Sequence, residues 1–165
     1  MPKILIVDDD ADMRAWISDV LQDANYRVEV LPDGAGVLQL LSLGVIDLAL
    51  IDHHLPGKSG ITLVREIRAA RNSTPVVMLT GDPSQQLAVE AFRVGAFDFI
   101  TKPIDPDYLK IVVERTLSAS AKTLKDTAFR ALGYTRHKPS CSFHKDSSSC
   151  DCGLKELFED VEGFS

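Results

Sequence analysis

Two stretches of this sequence run from apolar residues straight into acid. Ile4–Asp10 reads ILIVDDD, and Ile46–Gly60 reads IDLALIDHHLPGKSG, so Asp8, Asp9, Asp10 and Asp52 all stand where a buried strand would end. Short apolar runs bounded by turn formers suit the interior of a parallel sheet. A single acid in such a place could simply cap a loop. Its recurrence gathers carboxylates at the carboxyl edge of a sheet, where open α/β folds place ligands and reactive groups. Carboxylates held so close need a cation or raised pKa values, and an all-oxygen ligand set suits Mg²⁺. Two later strand ends carry groups that can meet an anion: Thr80 in VVMLTG and Lys102 in FDFITKP.

The elements that must position these groups alternate. Lys3–Val7 reads as a strand, and Asp10 can cap a helix over Ala11–Asp23, with Trp16, Ile17, Val20 and Leu21 spaced to cover one sheet face. Arg27–Leu31 alternates polar and apolar residues, as an edge strand does. Pro32-Asp33-Gly34 then turns the chain into a helix through about Ser42, which Gly44 stops. A helix is expected over Ile61–Ala70, a strand over Pro75–Leu79, a helix from about Pro83 to Arg93 and a strand over Phe97–Ile100. Strand and helix alternating through five cycles give a doubly wound parallel sheet of the α/β class. Asp105-Pro106-Asp107 opens a last helix. Its apolar or small positions continue at Leu109, Val112, Val113, Leu117, Ala121, Leu124, Ala128 and Leu132, as far as Gly133. That is an extended helix of about seven turns. Its half over 118–132 either folds back on its own domain or offers a partner or homodimer seam.

The motif residues lie in order along Lys3–Leu117: the acidic pair in IVDDD, Asp52 before HHLPGKSG, Thr80 and Lys102. In these motifs the stretch resembles a receiver domain, the phospho-accepting module of two-component response regulators. The resemblance implies a flavodoxin-like strand order 2-1-3-4-5 and a role in a phosphorelay. Asp52 would be the nucleophile that takes a phosphoryl group from a sensor histidine kinase or a histidine phosphotransfer protein, forming an acyl phosphate. Asp8, Asp9, Asp52 and the backbone carbonyl of His54 would hold Mg²⁺, or Mn²⁺. Lys102, with a cis bond to Pro103, would pair with Asp52 or a phosphoryl oxygen as a compact point charge, and Thr80 would donate its hydroxyl. Thr80 and Phe99 would form the switch, acting on the fourth helix, fifth strand and fifth helix for output to a downstream protein. His54 and Asp82 would face the attacking water and tune the lifetime of the phosphate. Such a module signals; its only catalysis is its own phosphorylation and dephosphorylation.

Composition agrees with this class. Of 165 residues, 45% are apolar, which suffices for a core and an appendage. The 24 acidic against 18 basic residues give a net charge of −6, which disfavours direct DNA binding. No apolar run is long enough to cross a bilayer, and Met1-Pro2-Lys3 leads directly into a strand. A cytoplasmic protein without a signal peptide is expected. A metal-dependent phosphatase of the haloacid dehalogenase type is the alternative, but its Asp-x-Asp motif wants Thr or Val two places on. Here Asp8-Asp9-Asp10 is followed by Ala11 and Asp12.

The expected organisation is therefore a receiver over 1–117, a helix extension over 118–132, and a polar linker with a short acidic amphipathic tail over 133–165. His137, Cys141, His144, Cys150 and Cys152 include every cysteine of the chain and offer N and S ligands for a structural Zn²⁺. Their spacing matches no finger pattern, and a reduced flexible linker is the competing expectation. Leu154–Phe164 would fold only against another surface, the candidate being the receiver's own face around Phe99 and the long helix, or else stay disordered.

Overall fold

The computed structural model describes residues 1–131 apart from Pro83. Five strands, β1 (Lys3–Val7), β2 (Arg27–Leu31), β3 (Leu48–Asp52), β4 (Val76–Thr80) and β5 (Asp98–Thr101), alternate with five helices. These are α1 (Ala11–Asp23), α2 (Val37–Ser42), α3 (Gly60–Ala69), α4 (Gln85–Arg93) and α5 (Pro106–Ala131). All strand pairs are parallel, in the order β2-β1-β3-β4-β5. The expected doubly wound sheet is thus observed. Two compact units divide the chain, Met1–Ala121 and Lys122–Ser165, and of the second only the helical backbone to Ala131 is described. The expected helix end at Gly133, the residues His137, Cys141, His144, Cys150 and Cys152, and the segment Leu154–Phe164 all lie outside the described residues.

Period-two alternation along the strands builds two cores. Leu5, Val7, Ala49, Ile51, Val76 and Met78 face one way and pack with Val37, Leu41, Ile61, Val64 and Ile67 from α2 and α3. Ile4, Ile6, Leu48, Leu50, Val77, Leu79 and Ile100 face the other way, onto Ile17, Leu21, Leu109, Val112 and Val113 from α1 and α5. Every residue of β3 and β4 is buried, which is why both read as unbroken apolar runs. β2 is the half-exposed edge that its alternation predicts. Trp16 departs from expectation. It is 37% exposed and borders a cleft with Met13, Pro103 and Ile104, while Ile17 and Leu21 alone of α1 are fully buried against the sheet.

Register carries the motif residues to one edge. Val7 pairs with Ile51, so Asp8 and Asp52, each one residue further, stand side by side. Asp52 pairs with Leu79, and Thr80 pairs with Thr101, which sets Thr80 and Lys102 next in line.

Candidate functional site

The three consecutive acids part company at the sheet edge. Asp8 is completely buried, Asp9 is exposed, and Asp10 turns to cap α1, its carboxylate accepting the Asp12 and Met13 amides at 2.9 and 3.1 Å. Asp52 is 3% exposed. One ammonium joins the two buried carboxylates: Lys102 Nζ lies 2.8 Å from Asp8 Oδ2 and 2.7 Å from Asp52 Oδ1. Each carboxylate gives its other oxygen to a backbone amide, Asp8 Oδ1 to Asp10 N–H at 3.0 Å and Asp52 Oδ2 to His54 N–H at 2.7 Å. Burial would pull the Lys102 ammonium down, but its hydrogen bonds to Asp52 and Asp8, and their charges, raise its pKa above the ordinary lysine value.

The backbone fixes this arrangement from several sides. Lys102 N–H donates to Thr80 O at 2.7 Å, and the bond to Pro103 is cis, as expected. The Asp8 carbonyl accepts Arg14 Nη1 of α1 at 2.6 Å, a contact no sequence motif announced. Gly60 was also missed, although a glycine opening a helix signals close approach of backbone. A Cβ there would run into the carbonyl oxygen of Asp52 and lie 3.1 Å from His53 Cα.

Thr80 is 3% exposed, and its hydroxyl is held by the following loop. It accepts the Asp82 amide at 3.0 Å and donates weakly to Asp82 O at 3.4 Å. Behind it, Thr80, Met78, Leu87, Ala88, Ala91 and Phe99 surround a cavity of about 10 Å³, room for no more than a water molecule. Phe99 is half-buried and meets Phe92 edge to face at 5.9 Å. His54 and Asp82 are exposed at the rim. His53 is half-buried, its ring edge-on to His54 at 4.6 Å. Burial, and then the neighbouring His54, push the His53 pKa down against the opposing pull of Asp52, Asp82 and Glu90. Among the described residues no three His, Cys, Asp or Glu side chains are gathered to hold a metal ion.

A family model described as the response regulator receiver domain matches residues 4–114. The chain belongs to that family. The receiver is 35% identical over 115 residues to the regulatory protein AtoC of Escherichia coli, which covers 70% of this chain and 25% of that protein. It is 31% identical over 125 residues to the transcriptional regulatory protein FixJ of Bradyrhizobium diazoefficiens, covering 76% and 61%. Among solved structures, Vibrio cholerae chemotaxis protein CheY4 shares 33% identity at a TM-score of 0.66, over 70% of this chain and 98% of that one. NtrX from Brucella abortus shares 33% at a TM-score of 0.72, over 78% and 30%. The chain spans from about a quarter to about three-fifths of the curated relatives it matches. The relatives are response regulators, and the phosphatase alternative is set aside: the receiver family accounts for the acid-bearing edge, with no Asp-x-Asp-x-Thr/Val motif at Asp8.

Proposed function

We propose that the receiver accepts one phosphoryl group on Asp52, from a sensor histidine kinase or a histidine phosphotransfer protein. What supports this reading is the buried Asp8–Asp52 pair sharing the Lys102 ammonium. A carboxylate oxygen of Asp52 attacks phosphorus in line. The new O–P bond forms as the P–N bond to the donor imidazole breaks, and the electron pair leaves with the imidazole. Lys102 Nζ, with a side chain 21% exposed, has room to follow the charge from Asp52 onto a phosphoryl oxygen. Asp8, Asp9, Asp52 and the His54 carbonyl would hold Mg²⁺ or Mn²⁺. The donor set fits an ion that keeps several waters and needs few protein ligands: two buried carboxylates, a backbone carbonyl and an exposed carboxylate free to turn. When bound, the ion neutralises phosphoryl oxygens as charge shifts between them.

The output follows from Thr80. Its hydroxyl donates only weakly at rest, so a phosphoryl oxygen can draw it inward. Phe99 then moves toward the vacated space. Because the cavity there holds only about 10 Å³, Leu87, Ala88 and Ala91 of α4 must yield with it. The face that changes is α4, β5 and the first turns of α5, and a downstream protein reads it; a homodimer through α5 is the competing output. His54 and Asp82, at the rim, set how readily water reaches the acyl phosphate. The receiver spans 1–117, with 118–132 and 133–165 appended. It works in the cytoplasm without contacting DNA directly. No described helix is long and apolar enough to cross a membrane.

Incubation with acetyl phosphate tests the reading. One phosphoryl group per chain is expected, dependent on Mg²⁺ and removed by hydroxylamine. Equal uptake in a chelator, or turnover of phosphate esters with no phosphoprotein formed, would contradict it.

A further inference from the structure

Gly34 is buried although it lies in the otherwise open turn between β2 and α2, and its φ is not in the left-handed region. Backbone conformation therefore does not call for glycine there; space does. The aliphatic stem of Lys58 lies across it, so that a Cβ on Gly34 would meet Lys58 Cδ at 3.2 Å, Cγ at 3.4 Å and Cε at 3.5 Å. Beyond the stem, Lys58 Nζ reaches Glu66 Oε2 of α3 at 2.7 Å. A long cationic side chain is well suited to covering backbone with its methylenes while its head stays partly in water.

This one side chain joins three segments around the acid pocket. Lys58 belongs to the β3–α3 loop, whose first residues are tied down by His53 N–H on Leu79 O and His54 N–H on Asp52 Oδ2. The outer part of that loop, Pro56 and Gly57, is exposed, and Gly57 turns it at φ +82°. Across the gap, the β2–α2 turn follows Leu31, whose carbonyl accepts Asp8 N–H at 3.3 Å. A ring is thus closed from Asp8 through Leu31, Gly34, Lys58 and His54 to Asp52. Lys102 links the two carboxylates through their side chains, and Lys58 ties the loop after Asp52 to the β2–α2 turn, which begins beside the Leu31 carbonyl that holds the Asp8 amide.

We propose that Lys58 is a positioning residue for phosphoryl transfer, a strap whose stem over Gly34 keeps His54 in register with Asp52 and with the metal-binding edge. The inference rests on Asp52 being the phospho-acceptor. The Glu66 pair is half in water and is weak by itself; it directs the stem, and the stem holds the loop. Loop misplacement of an ångström or less is enough to slow a positioned reaction severely.

The test compares the full chain with Lys58→Gly, which removes stem and charge, and Lys58→Met, which keeps a stem of similar length without the charge. Three quantities are read: the maximal rate of phosphorylation by acetyl phosphate, the Mg²⁺ concentration at half-saturation, followed by Trp16 fluorescence, and the melting temperature. Lys58→Gly is expected to lose about tenfold in rate and to need several-fold more Mg²⁺, with its melting temperature close to wild type. Lys58→Met should stay within about twofold of wild type. Unchanged rate and half-saturation in Lys58→Gly would overturn the strap, as would an equal loss in Lys58→Met. A wild-type chain that takes up no phosphoryl group would remove the acceptor reading itself, a failure visible before any variant is compared.

Discussion

At Lys102 a single ammonium compensates two carboxylates that are almost wholly out of water. Removing it leaves like charges buried and unpaired, the costly half of a broken buried ion pair. Lys102→Ala should therefore lower stability by about 3 kcal/mol in chelator, and saturating Mg²⁺ should return most of the loss by supplying another cation. Urea unfolding with and without Mg²⁺ checks this; a midpoint unmoved in chelator would show that Lys102 is not what holds the pair. Asp9→Ala should behave oppositely. Asp9 is exposed, so stability should change by no more than about 0.5 kcal/mol, while Mg²⁺ affinity measured by calorimetry falls. Residue types and spacing made Asp8, Asp52, Thr80 and Lys102 legible, because each ends a strand. They also set Asp10 apart as the cap of α1, as observed, but they did not separate Asp8 from Asp9, since that depends on which way each side chain leaves the β1–α1 turn. Nor could they pair Lys102 with Asp8, which is 94 residues distant in sequence.

Among the elements, α3 starts where backbone leaves no room for a side chain. Gly60 opens it against the carbonyl of Asp52, and Ser59 caps it by accepting the Thr62 amide at 3.2 Å. Gly60→Ala must push backbone from backbone, and a loss of about 2–3 kcal/mol is expected from such overpacking. Denaturant unfolding measures it, and a wild-type midpoint would mean that α3 can shift without cost. Strands were legible where burial on both faces leaves a continuous apolar run, as in β3 and β4. Their ends were not: β4 runs Val76–Thr80 rather than Pro75–Leu79, and β5 runs Asp98–Thr101 rather than Phe97–Ile100. Ladder pairing decides these ends, here Ala49 with Val76 and Thr80 with Thr101. Helical spacing likewise placed Trp16 on the sheet, but the apolar stripe of α1 is narrower than its apolar composition, and Trp16 falls at its rim.

Over the whole molecule, Arg68 secures the end of the sheet away from the site. Its guanidinium donates to Gly95 O at 3.1 and 2.9 Å, to Asn72 O at 2.8 Å and to Thr74 O at 2.9 Å, stitching the α3–β4 connection to the turn before β5. Arg68→Ala leaves those carbonyls short of partners, and about 2–3 kcal/mol of stability should go with it, with the phosphorylation rate little altered. Equal stability of the variant, measured by urea unfolding, would mean that water replaces the guanidinium without penalty. The doubly wound parallel sheet could be anticipated from five alternating strand–helix cycles, and its strand order from the resemblance to receiver domains. The resting position of Phe99 could not, because it depends on how closely α4 packs over β4 and β5.

The central claim is that Asp52 is the phospho-acceptor. Asp52→Asn keeps the shape of the side chain and an oxygen for the His54 amide, but removes the nucleophilic charge. Treated with acetyl phosphate and Mg²⁺ and resolved by phosphate-affinity electrophoresis, the wild-type chain should shift and the variant should not. A hydroxylamine-sensitive shift of the Asp52→Asn chain at the wild-type level would contradict the account.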